Sequence, residues 1–358
     1  ADADVYGYSR AGLKPYQYRG DGYNQAYNKV QIHTLRADWS LASNMKLIYL
    51  GGYFKQLREN SLDSDGEPRT LLSSYALVSQ DYSTHEIRLV GDSDKLSWTA
   101  GAFYLDQSIY NHNDGFLLSG TGTNPFGPGT NGAVQITTFK QDLKSYAGYA
   151  NLRYKATSNI TIVGGIRFTR DKKIIDGTTQ QFLHSFPDTN TVTFGGQTFG
   201  VVQLSIDPHK FDDIDRLESQ FLTGPLTPQA HFGLSTTPLA KYKESYVSGE
   251  LQVEFTPNDW TLIYAGVKRG VKGGGFNNGL VDLSDFNSVP VKKEVNTAGE
   301  IGYKLSFPDI RARFNGALFY YDYKNYQALS TVNVPKGPTI GLMNNLDAVI
   351  YGTEAEFT

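Results

Sequence analysis

Apolar and polar residues alternate with a period of two along much of this chain, most clearly in its second half. In 245–256, Val247, Gly249, Leu251, Val253 and Phe255 share one face; Tyr246, Ser248, Glu250, Gln252 and Glu254 share the other. Within 144–154, Tyr146, Gly148, Ala150, Leu152 and Tyr154 oppose Ala147, Tyr149, Asn151 and Arg153. Within 159–170, Ile160, Ile162, Gly164, Ile166 and Phe168 oppose Thr161, Val163, Gly165, Arg167 and Thr169. At 297–305, Ile301, Tyr303 and Leu305 oppose Ala298, Glu300 and Lys304. The pattern predicts about eleven strands, near 30–40, 44–57, 80–90, 96–110, 141–155, 159–174, 243–256, 259–272, 293–306, 310–324 and 345–357. An apolar face backed by a charged one suits a strand with lipid on one side and water on the other. These spans exceed the roughly 9 to 11 residues that cross a hydrocarbon layer, so the strands are expected to project beyond it.

The connections between strands alternate too. Tight ones fall at Leu41-Ala42-Ser43-Asn44, Gly91-Asp92-Ser93-Asp94, Ala156-Thr157-Ser158, Thr256-Pro257-Asn258-Asp259 and Phe307-Pro308-Asp309. Long polar, Gly- and aromatic-rich stretches separate them, near 1–29, 58–79, 111–140, 175–242, 273–292 and 325–344. Most exceed an ordinary hairpin loop several-fold. Outer-membrane barrels have this asymmetry, with short turns on the periplasmic side and long loops outside. The fold class expected is all-β, an antiparallel up-and-down transmembrane barrel, with the long stretches as extracellular loops.

Composition is compatible with that fold and excludes others. Hydrophobic residues make up 39% and mean hydropathy is -0.38, and no apolar run reaches the length of about 18 residues that a transmembrane helix needs. Alternation hides the lipid face from such averages. Net charge is -3 with no basic block, which argues against nucleic acid as a partner. Cys is absent, which removes disulfide frameworks and thiolate metal sites. No charged n-region and apolar h-region precede Tyr6, so no signal peptide is read in the segment. Alternation continues through Val349, Tyr351, Thr353, Ala355 and Phe357, and an odd strand number leaves unpaired edges. The expectation is therefore an internal piece of a longer barrel, with material missing at both ends.

Six pieces in order resemble one family. Trp260 to Asn277, reading WTLIYAGVKRGVKGGGFN, is similar to the Y-A-S-Y-S-x-G-Y-K-x-G-G-F-N strand of TonB-dependent outer-membrane receptors. It departs at Gly266, Val267 and Val271. Lys293 to Lys304, KEVNTAGEIGYK, resembles P-E-x-x-x-x-Y-E-x-G-x-K, with Ala298 at a place that is often aromatic. Asn315 to Lys324, NGALFYYDYK, resembles N-A-A-x-F-Y-x-D-Y-K, and Tyr351 to Glu356 closes an N-A-x-x-A-x-x-x-G-x-E-x-E stretch. Upstream, Thr84 to Leu89 with Trp98 to Tyr104 resembles the family's S-Q-E-L-R-L and W-x-A-G-x-Y-Y hairpin, and Gly164 to Lys173 resembles G-G-L-R-Y-T-x-D-x-K. The resemblance implies a plugged 22-stranded barrel in the outer membrane of a Gram-negative bacterium. It also implies uptake of a scarce nutrient, by default a ferric siderophore, driven through the inner-membrane TonB complex. Partners would be outer-membrane lipid, the nutrient or ferric chelate, and TonB acting through a plug; neither plug nor TonB box is recognised in the segment.

No catalytic motif emerges. HExxH, P-loop and dinucleotide GxGxxG patterns are absent, and Gly7-Tyr8-Ser9-Arg10-Ala11 lacks the last glycine of a nucleophile elbow. The chain is expected not to be an enzyme and to need no cofactor. Gly273-Gly274-Gly275 starts no helix, so it reads as a tight exit from the wall rather than a phosphate cradle. Asp207, Asp212, Asp213 and Asp215 in the longest loop form a candidate Ca²⁺ set, with solvated surface charge the preferred reading. His112, His184, His209 and His231 fall in predicted loops, whereas His33 and His85 fall on strands. Ligand-binding candidates are the loop aromatics Tyr16, Tyr18, Tyr23, Phe116, Phe126, Phe182, Phe186, Phe194 and Phe199, rigid faces suited to a catecholate, sugar or aromatic nutrient. Arg153, Arg167, Glu250, Glu254, Glu300, Lys304, Arg311, Arg313, Glu354 and Glu356 are expected to face the lumen, because each costs roughly 2 to 4 kcal/mol toward lipid. Alternatives are a passive porin or channel, and a secreted all-β carbohydrate-binding or hydrolytic protein.

Overall fold

The computed structural model describes residues 9, 12–17, 25–63, 72–118, 132–185, 191–194, 197–200, 202–203, 231–276, 290–334 and 337–358. In chain order the strands are β1 (Gln25–Ala42), β2 (Met45–Asp63), β3 (Leu72–Asp92), β4 (Leu96–Leu118), β5 (Gly132–Lys155) and β6 (Ile160–Ser185). Short pieces β7 (Thr191–Phe194), β8 (Gln197–Gly200) and β9 (Val202–Gln203) precede β10 (His231–Asn258) and β11 (Thr261–Lys272). Then come β12 (Gly275–Phe276), β13 (Pro290–Val291), β14 (Glu294–Phe307), β15 (Ala312–Val334) and β16 (Gly337–Phe357).

Each long strand pairs antiparallel with its sequence neighbour, in the order β1-β2-β3-β4-β5-β6-β10-β11-β14-β15-β16. Among the described residues this is an eleven-strand up-and-down wall that begins at β1 and ends at β16, with β9 added parallel to the end of β6. No described helix is long and apolar enough to cross a membrane.

The strand ends at the tight connections are closed by local chemistry. Thr157 Oγ1 accepts the Asn159 and Ile160 amides at 3.2 and 3.0 Å, and Asn258 Oδ1 accepts the Trp260 amide at 3.2 Å. Such side-chain bonds replace the backbone partners lost where the ladder reverses. Between β14 and β15 a single 3-10 turn, Pro308–Ile310, ends on Arg311 at φ 52.

Register sorts the side chains into two faces. Val253 pairs with Ile162 and Ala265, Ala265 with Ile301, and Ile301 with Leu318. Phe255 pairs with Ile160 and Ile263, and Ile263 with Tyr303. Leu251, Ile166, Val267 and Leu318 are each more than half exposed, and a continuous apolar belt of that kind needs lipid rather than water against it. The opposite face carries the charges. Among the described residues the wall has no second layer, so these two surfaces, rather than a core, carry its chemistry.

The strands run further than the sequence predicts at the ends away from the tight turns. β3 starts at Leu72, β4 reaches Leu118, β5 starts at Gly132, β6 reaches Ser185 and β10 starts at His231. His112, His184, Phe116 and Phe182, predicted in loops, therefore lie on strands, and His231 opens one. Above the apolar belt neither face needs to be apolar, so alternation fades while the hydrogen-bonded ladder continues.

Candidate functional site

The candidate site is the polar face, built from alternate residues of β3 to β6, β10, β11 and β14 to β16. Near the tight turns, Arg153 grips Glu254 through both guanidinium nitrogens, with Nη1 to Oε1 at 2.9 Å. Glu254 also accepts Gln252 Nε2 at 3.0 Å and is itself buried. Such a two-pronged pair is the strong form of a charge-assisted bond. Alongside, Tyr264 donates to Glu300 at 2.7 Å and Asn315 donates to Glu356 at 3.2 Å.

Midway up, Glu86 accepts the Tyr149 hydroxyl and pairs with Arg88 at 3.0 Å. The Arg167 guanidinium lies 5.2 Å from the Phe103 ring centre and 5.8 Å from that of Tyr149. Glu86, Arg88, Tyr149, Arg167, Glu250 and Lys268 line a groove of about 600 Å³. Cations over aromatic faces, with carboxylates in reach, can hold an anionic or aromatic guest.

At the upper rim the chain leaves β11 through Gly273 and Gly274 and folds against the wall. Lys173 Nζ donates to the Gly274 carbonyl, and the Gly274 amide donates to Glu244. Gln327 Nε2 donates to Gly273 O at 3.2 Å and to Lys292 O at 2.9 Å, while its own amide donates to Glu294 at 2.7 Å. Tyr246 donates to Asp171 at 3.0 Å and Tyr242 to Glu244 at 3.2 Å. Gly275 and Phe276 then pair with Val291 and Pro290. A β-carbon on Gly274 would meet Val291 O at 2.4 Å and Tyr242 Oη at 2.5 Å, so only glycine permits this exit. Outward-facing Arg170 and Lys172 place this cluster above the apolar belt. There, burial pushes the Lys173 ammonium below its ordinary value against the opposing pull of Asp171 and Glu244. Burial, then Glu244, pushes the Tyr242 phenol up to about 12.

Arg153, Arg167, Glu250, Glu254, Glu300, Lys304, Arg313, Glu354 and Glu356 all fall on the polar face by register. Arg311 instead occupies the left-handed position of the turn, outside the strands. Tyr16 is fully exposed at φ 66. Phe116 and Phe182 flank Val134 in one cross-strand row, and Phe194 and Phe199 lie on the β7–β8 pair. Tyr18, Tyr23, Phe126, Phe186, His209, Asp207, Asp212, Asp213 and Asp215 lie outside the described residues. His112 is buried and bonds Asp114 at 2.9 Å. No cluster of three or more metal-ligating side chains occurs among the described residues. The sequence pattern did not single out Glu86, Arg88, Lys173, Tyr242, Glu244, Lys268 and Gln327. All but Gln327 stand on regular alternate positions, and the alternation extended to them would show their face.

The family described as "TonB dependent receptor-like, beta-barrel" matches residues 1–358. This chain belongs to the TonB-dependent receptor β-barrel family. With that family it is placed in the outer membrane of Gram-negative bacteria, and the polar face is the lumen side of the barrel wall. Solved structures of the same architecture include the ferric yersiniabactin uptake receptor FyuA from Yersinia pestis, with a TM-score of 0.57 and 16% identity, covering 94% of this chain and 44% of that one. The siderophore receptor PiuA from Acinetobacter baumannii gives 0.59 and 14%, covering 95% and 45%. The ferric-catecholate import receptor Fiu from E. coli K12, in its closed form, gives 0.55 and 14%, covering 95% and 46%. The chain thus spans less than half the length of these receptors, and the likeness carries the fold of a TonB-dependent receptor wall.

Proposed function

We propose that this TonB-dependent receptor captures a scarce nutrient, with a ferric siderophore as the working substrate, on its extracellular side and imports it with inner-membrane energy relayed by TonB. The observation that carries the reading is the charged lumen face. Among the described residues, Glu250 and Lys268 stand opposite each other across β10 and β11, and Lys304 lies in the field of Glu254, none of them closed into a contact ion pair. A lumen lined with such open charge suits a polar occupant, a plug in the resting barrel and an anionic chelate in transit. Three structurally similar receptors are described by ferric or siderophore substrates, which supports iron as the first substrate to test. Tyr16, Tyr18, Tyr23, Phe116, Phe126, Phe182, Phe186, Phe194 and Phe199 remain the proposed ligand contacts, and Asp207, Asp212, Asp213 and Asp215 a proposed calcium set.

The test is uptake of labelled iron by cells that carry the full-length receptor as their sole route, offered as catecholate, hydroxamate and carboxylate chelates. Uptake of one chelate that stops when TonB is deleted is the expected result. Uptake that continues without TonB would favour a passive channel, and failure with every chelate would remove iron as the cargo.

A further inference from the structure

The polar face is not open along its whole height. At the level of Arg170 and Lys172, Ser145, Thr169 and Asp171 on that face are buried, and so are Val291 and Gln327 nearby. The chain leaving β11 lies against them. A β-carbon on Gly273 would meet Asp171 Oδ2 at 3.0 Å and Glu244 Oε1 at 3.2 Å, and one on Gly275 would meet Lys173 Nζ at 3.5 Å. Phe276 sets its ring edge-on to Tyr242, with 6.1 Å between centres. Register puts Asp171 opposite Ser145 and Glu244, and Lys173 opposite Tyr242, all in phase with Arg167 on the lumen side. The exit from β11 therefore folds back inward over β10 and β6.

Its backbone is what the wall holds. Lys173 takes the Gly274 carbonyl and Glu244 the Gly274 amide. The single side-chain nitrogen of Gln327 bridges Gly273 O and Lys292 O, the outgoing and returning legs of the segment. These holders stand on β6, β10 and β15. The wall order β6-β10-β11-β14-β15 sets four strand spacings, about 19 Å, between the outermost two. Tethers spread over that breadth leave no hinge at the exit, and Gly274 adds no slack, because the Val291 carbonyl and the Tyr242 phenol fill the place of its side chain. Asp171 and Glu244 both attract the Lys173 ammonium, and among the described residues Asp171 Oδ1 has no hydrogen-bond partner. A buried carboxylate oxygen left open costs stability, so these acids serve the placement of Lys173 rather than the strength of the wall.

We propose that Lys173, Glu244 and Gln327 are positioning residues that clamp residues 273–276 and 290–293 as a fixed ledge over the lumen side of β6 and β10, and that this ledge sets an upper size limit on what enters along this part of the wall. A moving lid needs contacts that water can replace as it opens. Here the contacts reach peptide groups of both legs at once, from under a buried surface. The inference rests on the import reading for the direction of traffic, but its test uses no cargo, so either can fail without the other.

Cysteine labelling of the full-length receptor in whole cells tests it, with Ser248→Cys as the only thiol; this chain itself has no Cys. Ser248 lines the 600 Å³ groove and follows Tyr246 by one strand repeat on the lumen side. N-ethylmaleimide is expected to label it equally with the clamp intact or removed by K173M/Q327L. A maleimide on a long polyethylene glycol chain is expected to label the intact form roughly tenfold more slowly than the double variant. Lys173→Arg keeps a charged donor and is expected to keep the size limit. If the double variant does not assemble, amide exchange on the unmodified receptor decides, with Gly274 expected at least roughly tenfold slower than an unprotected glycine. The same ratio of bulky to small labelling with and without the clamp, or an unprotected Gly274 amide, would overturn the proposal.

Discussion

Gly274 has no space for a side chain, because the Val291 backbone carbonyl and the Tyr242 phenol both occupy it. Gly274→Ala is expected to cost about 1 to 3 kcal/mol of overpacking and to loosen the β12–β13 pair, read as faster limited proteolysis at the rim with the wall intact. Arg153 and Glu254 behave differently because one partner is half exposed and the other buried. Arg153→Met leaves the carboxylate with the Gln252 hydrogen bond and the more distant Lys304, a loss of about 2 kcal/mol that a urea midpoint in lipid vesicles would register. Adding Glu254→Gln should restore part of it. Tyr242 gives a pH signature. Its phenol is raised in the fold to about 12, so the stabilisation is complete below the ordinary tyrosine range near 10 and is lost as pH rises through about 12. A difference titration of phenolate absorbance, wild type minus Tyr242→Phe, should show one tyrosine ionising late; an ordinary midpoint would contradict the half-buried contact with Glu244.

At the scale of the strand, register decides what a substitution means. Val253 faces lipid and Gln252 faces the lumen, one residue apart on β10. Val253→Lys is expected to cost about 2 to 4 kcal/mol near the midplane, while Gln252→Lys should fall within about 1 kcal/mol; equal losses would mean the faces are assigned wrongly. Strand cores such as 159–174 and 243–256 were legible because one face must be apolar for as long as it touches lipid. The upper extents of β6 and β10 were not. There Lys172, Asp176, Lys241 and Lys243 occupy outward positions, the pattern no longer differs from that of a loop, and the ladder alone defines the strand. The rim was half legible: Gly273-Gly274-Gly275 signalled a tight exit, but nothing local points to Lys173, Glu244 and Gln327 as its anchors. They come from β6, β10 and β15, up to 101 residues away.

The whole wall has a direction and two faces of different chemistry, an apolar belt on the outside and a charged surface on the inside. Among the described residues its path ends at β1 and β16, which are not paired to each other. Unpaired backbone groups in hydrocarbon cost several kcal/mol each. The 358 residues by themselves are therefore expected not to insert into lipid vesicles as a heat-resistant barrel; a heat-modifiable band on a gel would show instead that the edges close. The alternating strands, the tight turns and the family are written into the chain locally, because lipid on one face imposes a periodic constraint that any window of residues displays. Which charges meet, where the rim is anchored and which lysines of three strands share one row come from register alone, because register brings together residues whose separation along the chain follows no period.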